Sequence, residues 1–118
     1  MSDALEPLLF RNATEWGAWL AANHDSAKEA WVIHQKAKSA GPGLRYADAL
    51  NEALAYGWID GIMRSKDKDS IIQSYTPRRP GSNWSESNKA RMEKLISQGK
   101  ITKAGLAAVE VAKKSGKW

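Results

Sequence analysis

Residues 58–76 read WIDGIMRSKDKDSIIQSYT, and the reading of this stretch decides the fold. Two runs rich in β-branched and aromatic residues, Trp58–Met63 and Ile71–Thr76, flank the charged segment Lys66-Asp67-Lys68-Asp69. Such runs suit a pleated, half-buried surface, so the pattern predicts an antiparallel hairpin with a loop longer than the tight two-residue kind. Upstream, Ala30–Gln35 has the same character and predicts a third strand, followed by the breaker Ser39-Ala40-Gly41-Pro42-Gly43. Downstream, Pro77-Arg78-Arg79-Pro80-Gly81 is irregular, because its prolines cannot donate to a ladder or continue a helix.

Helices fill the remainder. Asn12 is placed to cap a first helix, with Glu15 completing a capping box and Trp16, Trp19 and Leu20 on one apolar face. That helix ends at Asn23–Ser26. Tyr46–Tyr56 predicts a second helix with Leu50, Ala53 and Leu54 buried and Gly57 as its stop. Ser85 caps a third helix running to Gln98, with Gly99 beyond it, and Thr102 caps a fourth running to Ser115 before Gly116. The expected architecture is a single α+β domain over residues 1–118, with residues 1–11 loosely ordered. It has a small, mostly antiparallel sheet of about three strands and four to five helices packed mainly on one face.

Composition narrows the chemistry. With 118 residues, 42% of them hydrophobic and 26% charged, the chain is globular in character. The absence of Cys excludes disulfides, cysteine-ligated zinc, iron–sulfur clusters and thiol catalysis. Only His24 and His34 are available as imidazole ligands, 10 residues apart and without a third ligand at a suitable spacing, so no metal and no cofactor is expected. A mean hydropathy of −0.55 argues against a membrane span, and the N-terminal residues carry no targeting pattern, which makes cytoplasm the expected location. No Gly-rich phosphate loop, nucleophile elbow or HExxH pattern occurs, and Ser85 has no nearby His to activate it. Charge is uneven: residues 1–59 carry 5 Lys/Arg against 7 Asp/Glu, whereas residues 60–118 carry 13 against 6. A basic half points to an anionic partner, unless the lysines serve only solubility.

Several phrases resemble the YdeI/OmpD-associated (bacteriocin-protection) protein family. Tyr46–Gly61 matches that family's helix ending in Gly followed by Trp-Ile-Asp-Gly. Tyr75-Thr-Pro-Arg-Arg79, Asn83-Trp-Ser-Glu-Ser-Asn88, Lys103-Ala-Gly105 and Gly116-Lys-Trp118 are similar to its later phrases and stand in the same order. Members of the family continue past the last phrase into a helical segment, so this chain resembles the N-terminal module alone. The resemblance implies a link to bacteriocin or cationic-peptide resistance and no established catalytic mechanism.

Trp58, Asp60, Arg78, Arg79, Trp84, Ser85 and Asn88 emerge as the candidate ligand-binding residues, with no catalytic residue assigned. Asp60 in an apolar strand demands a partner, and Arg78 or Arg79 is the nearest in topology. That pair is either a structural salt bridge or an acid beside an anion clamp. Two guanidiniums between prolines suit bidentate carboxylate or phosphate contacts. Trp84-Ser85-x-x-Asn88 opens a helix whose amides either meet an anion or are satisfied by Ser85 itself. Trp16, Trp19 and Trp31 fit core periodicity, while Trp58, Tyr75, Trp84 and Trp118 lie in or beside the basic half, where bases can stack on exposed rings. The expected function is a binding module for an acidic protein or anionic ligand. Nucleic-acid binding and a small-molecule enzyme using Asp60 and Arg78 are the alternatives. Direct capture of cationic peptides conflicts with the charge.

Overall fold

The computed structural model describes residues 7–36, 43–79 and 84–118. Among these residues seven elements follow one another: α1 (Ala13–Asn23), β1 (Ala30–Gln35), α2 (Tyr46–Ala55), β2 (Trp58–Ser65), β3 (Ser70–Pro77), α3 (Glu86–Ser97) and α4 (Lys103–Ser115). The class is α+β, the described residues forming four helices and a three-stranded antiparallel sheet in the order β1-β3-β2. The breaker residues 39–42, residues 80–81 of the irregular segment and Asn83 lie outside the described residues.

The hairpin forms as its sequence dictates, each strand two residues longer than the apolar runs. In its loop, Asp67 Oδ1 accepts from the amides of Asp69 and Ser70 and from the Ser70 hydroxyl, each at 2.9 Å. The register pairs Asp60 with Tyr75 but Met63 with Gln73, so β2 carries one extra residue in between. Gln73 Nε2 donates to the carbonyls of Gly61 and Ile62, and Ser74 Oγ accepts from the Ile62 amide, which tethers this bulge to β3. Within the N-terminal segment expected to be loose, Leu8 bridges β1 in parallel, its amide donating to Trp31 and its carbonyl accepting from Ile33.

Alternation along β1 directs Ala30, Val32 and His34 inward. Trp31 therefore points to the other face, where Arg64 lies 5.7 Å from its ring centroid. Its expected place in the core is overturned by this alternation. One core cluster joins Trp16 and Leu20 of α1 and Ala49 and Ala53 of α2 to Ala30, Val32, Trp58 and Tyr75 of the sheet. A second joins Leu50 and Leu54 on the neighbouring stripe of α2 to Met92 and Leu95 of α3 and Val109 and Ala112 of α4.

Local signals set the helix ends. Asn12 accepts from the Glu15 amide at 3.0 Å, but Glu15 reaches back to the Arg11 amide, one residue before the position a capping box uses. The end of α2 is built into the start of α4. The Ala55 carbonyl, which the helix leaves unmet, accepts from both the amide and the hydroxyl of Thr102 at 3.0 and 2.6 Å. Gly57, at φ 78°, turns the chain there. Gly105 lies so close that a Cβ would overlap the Ala55 carbonyl oxygen and sit 2.9 Å from its carbon. Gly105→Ala is therefore expected to destabilise by about 1–3 kcal/mol in urea unfolding. An ordinary helical glycine would instead gain up to about 1 kcal/mol from the same change, so the sign of the effect tests the junction.

Candidate functional site

The segment leaving β3 is held first by its backbone: the Arg78 amide donates to the Gly57 carbonyl at 2.9 Å. This sets the Arg78 side chain against the start of α3. Its guanidinium carbon lies 3.9 Å from the Trp84 ring centroid, a stacked cation–π arrangement. Trp84 is fixed from behind by Trp118, with ring centroids 5.0 Å apart, and its amide donates to the Lys117 carbonyl. Beside this stack Arg78, Arg79 and Trp84 line a groove of about 140 Å³, floored by Ala107, Ala108 and Val111 of α4. Arg79 is exposed, and Val111 is 42% exposed.

Burial lowers the Arg78 pKa, and the Asp60 carboxylate pulls it part of the way back. A guanidinium shifted in this way still carries its charge at neutral pH. Asp60 is held from the other side by Tyr46, whose hydroxyl donates to Oδ2 at 2.7 Å. Burial, reinforced by Asp60, pushes the Tyr46 phenol up to about 12. Tyr75 is raised too, by its burial and then by Asp60 and Tyr46. Both phenols stay protonated under ordinary conditions.

Of the seven residues proposed from sequence, Arg78, Arg79 and Trp84 come together. Asp60 acts on the groove through its field on Arg78. Trp58 does not take part: it is 1% exposed in the core, and its Nε1 donates to the His24 carbonyl. Trp58 opens β2 directly after the Gly57 turn, on the inward face of the strand. Tyr75 is likewise fully buried, so neither ring is offered for base stacking. Ser85 is a helix cap, its hydroxyl accepting from the Asn88 amide at 3.1 Å. Asn88 is half-buried on α3 and does not line the groove.

The small residues of α4 were missed by sequence reasoning. Their signal was the run Ala104-Gly-Leu-Ala-Ala108, which leaves a helix face shallow enough to floor a groove. A second opening, between α2 and α3, gathers Asn51, Arg91, Lys94, Gln98 and Lys100 around about 420 Å³ and collects part of the basic half. Among the described residues no group of three or more His, Cys, Asp or Glu could hold a metal ion, and no helix is long and apolar enough to cross a membrane.

No curated protein and no solved structure matches the chain. The family model of a domain of unknown function, DUF8412, matches residues 8–108. With all three strands, α1 to α3 and the first part of α4 inside that match, the chain belongs to the DUF8412 family.

Proposed function

We propose that the protein is a non-catalytic binding module that engages an acidic segment of a partner protein at the Arg78–Trp84 groove. In this reading the helices lie mainly on one side of the sheet, and α4 forms the apolar half of the docking surface. The observation that carries it is the Arg78 guanidinium stacked 3.9 Å from the Trp84 ring beside the exposed Arg79. Two guanidiniums over an alanine and valine floor suit a carboxylate joined to an apolar stem better than a bare inorganic anion. The resemblance to the YdeI/OmpD-associated family supports the same reading, since resistance acting through a partner fits a basic surface that repels cationic peptides.

A fluorescent peptide of alternating Glu and Leu tests the proposal by anisotropy. Saturable binding is expected, weakened about tenfold or more by Arg79→Glu, as loss and reversal of a contacting charge requires. Binding that is absent, or unchanged in this variant, removes the proposal. The cationic α2–α3 groove favours nucleic acid as the second reading. There, duplex affinity must fall with salt at a slope of about 0.9 per phosphate contacted.

A further inference from the structure

The strongest unassigned feature lies where β1 ends and α2 begins. Lys36 and Arg45 meet at this edge, the Arg45 guanidinium donating to the Lys36 carbonyl. With Tyr46, Ala47, Met63 and Ile71 they line a pocket of about 420 Å³, cationic at one end and mainly apolar elsewhere. That volume falls within the range of small-molecule sites.

What stands behind the apolar wall is polar. The register sets His34 opposite Ile71 and Gln73 opposite Met63 on the same sheet face. The Tyr46 ring meets His34 edge-on at 6.3 Å. His34 Nε2 is 2.8 Å from the Tyr75 hydroxyl, and both Gln73 amide bonds go to the β2 bulge. His34 Nδ1 and Gln73 Oε1 are left buried without a hydrogen-bond partner, on residues 0% and 1% exposed. Folded proteins rarely keep such groups unmet. A hydroxyl carries one proton and two lone pairs, so it can donate to the amide oxygen while accepting from the ring nitrogen in the tautomer protonated at Nδ1, with the Tyr75 hydroxyl then donating to Nε2. Met63, 52% exposed and unbranched, is the part of the wall that can swing aside.

We propose that this pocket binds a small carboxylic acid bearing a hydroxyl at its far end. The carboxylate sits at Lys36 and Arg45, the body lies along Met63 and Ile71, and the hydroxyl meets His34 and Gln73. The site is separate from the Arg78–Trp84 groove and does not rest on the peptide-binding reading.

Titration of the full chain with 4-hydroxybenzoate and benzoate, followed by two-dimensional NMR of the Met and Ile methyls, tests it. Saturable shifts at Met63 and Ile71 are expected. 4-Hydroxybenzoate should bind about tenfold tighter than benzoate, the factor one well-made buried hydrogen bond carries. Met63→Trp, which fills the pocket from an exposed position, should weaken binding about tenfold or more, and Arg45→Gln should do the same by removing the charge at the mouth. The unliganded spectra of both variants show whether each is folded. The proposal is overturned by no saturable shift below about 10 mM, by equal affinity for the two acids, or by binding that survives Met63→Trp in a folded protein.

Discussion

Trp16→Ala is expected to remove about 3–5 kcal/mol of folding stability, the range for deleting a large buried aromatic side chain. Trp16 is fully buried, and its ring lies 5.5, 5.6 and 5.2 Å from those of Phe10, Trp19 and Tyr75. Its Nε1 donates to the Ala49 carbonyl at 3.0 Å, tying α1 to α2. The substitution therefore opens a cavity at the point where both helices meet the sheet. A domain of this size has a total stability of only about 5–15 kcal/mol, so the variant sits near the limit of folding. Urea unfolding followed by far-UV circular dichroism measures the loss. A change under about 1 kcal/mol would mean that neighbouring side chains collapse into the space and that the aromatic cluster is not what holds α1 down.

The second large effect is acid sensitivity arising from His34. Burial lowers its pKa from 6.5 to about 4. Between these values the unfolded chain binds a proton that the native ring refuses. Stability is thus fully present above pH 6.5 and falls as pH drops toward 4, by about 1.4 kcal/mol per pH unit and on the order of 3 kcal/mol in all. The groups facing the ring are the Tyr75 hydroxyl and the Tyr46 ring, both neutral over this range, with Asp60 beyond Tyr46. Glu52 works in the opposite sense, because burial raises its carboxyl and favours the protonated native form. The measurement is therefore a comparison: unfolding free energies at pH 7 and pH 4.5 for the natural chain and for His34→Gln. The variant should lose most of the acid-induced drop. Parallel curves would show that the imidazole is solvated.

The secondary structure was legible because its signals are local. Asn12, Ser85 and Thr102 each cap the helix they precede, and Gly57, Gly99 and Gly116 each take positive φ beyond a helix end. The sheet partners of β2 and β3 followed from two apolar runs and one charged loop. What could not be read is which face of each strand turns inward. Trp31, the larger and more apolar side chain, looked like core, but Ala30, Val32 and His34 are the residues that alternate inward, so the imidazole is buried and the indole is not. The partner of Asp60 was hidden for the same reason. Asp60 was assigned an arginine as its nearest partner, whereas the hydrogen bond comes from Tyr46, on a helix that only the tertiary packing brings near. Arg78, Arg79 and Trp84 did converge, being close in sequence, but the α4 floor of their groove comes from about 30 residues further along the chain.

The bulge between Asp60 and Met63 bears on how copies of this chain behave toward each other. β2 is the outermost strand on its side, and it exposes Ile62 and Met63 by 56% and 52%, a combination that invites another chain to add alongside. The extra residue breaks the even spacing that such templating needs, while Gln73 and Ser74 claim backbone groups of Gly61 and Ile62 from within. The same irregularity that admits a glutamine to the interior thus guards the rim of the sheet against runaway self-association.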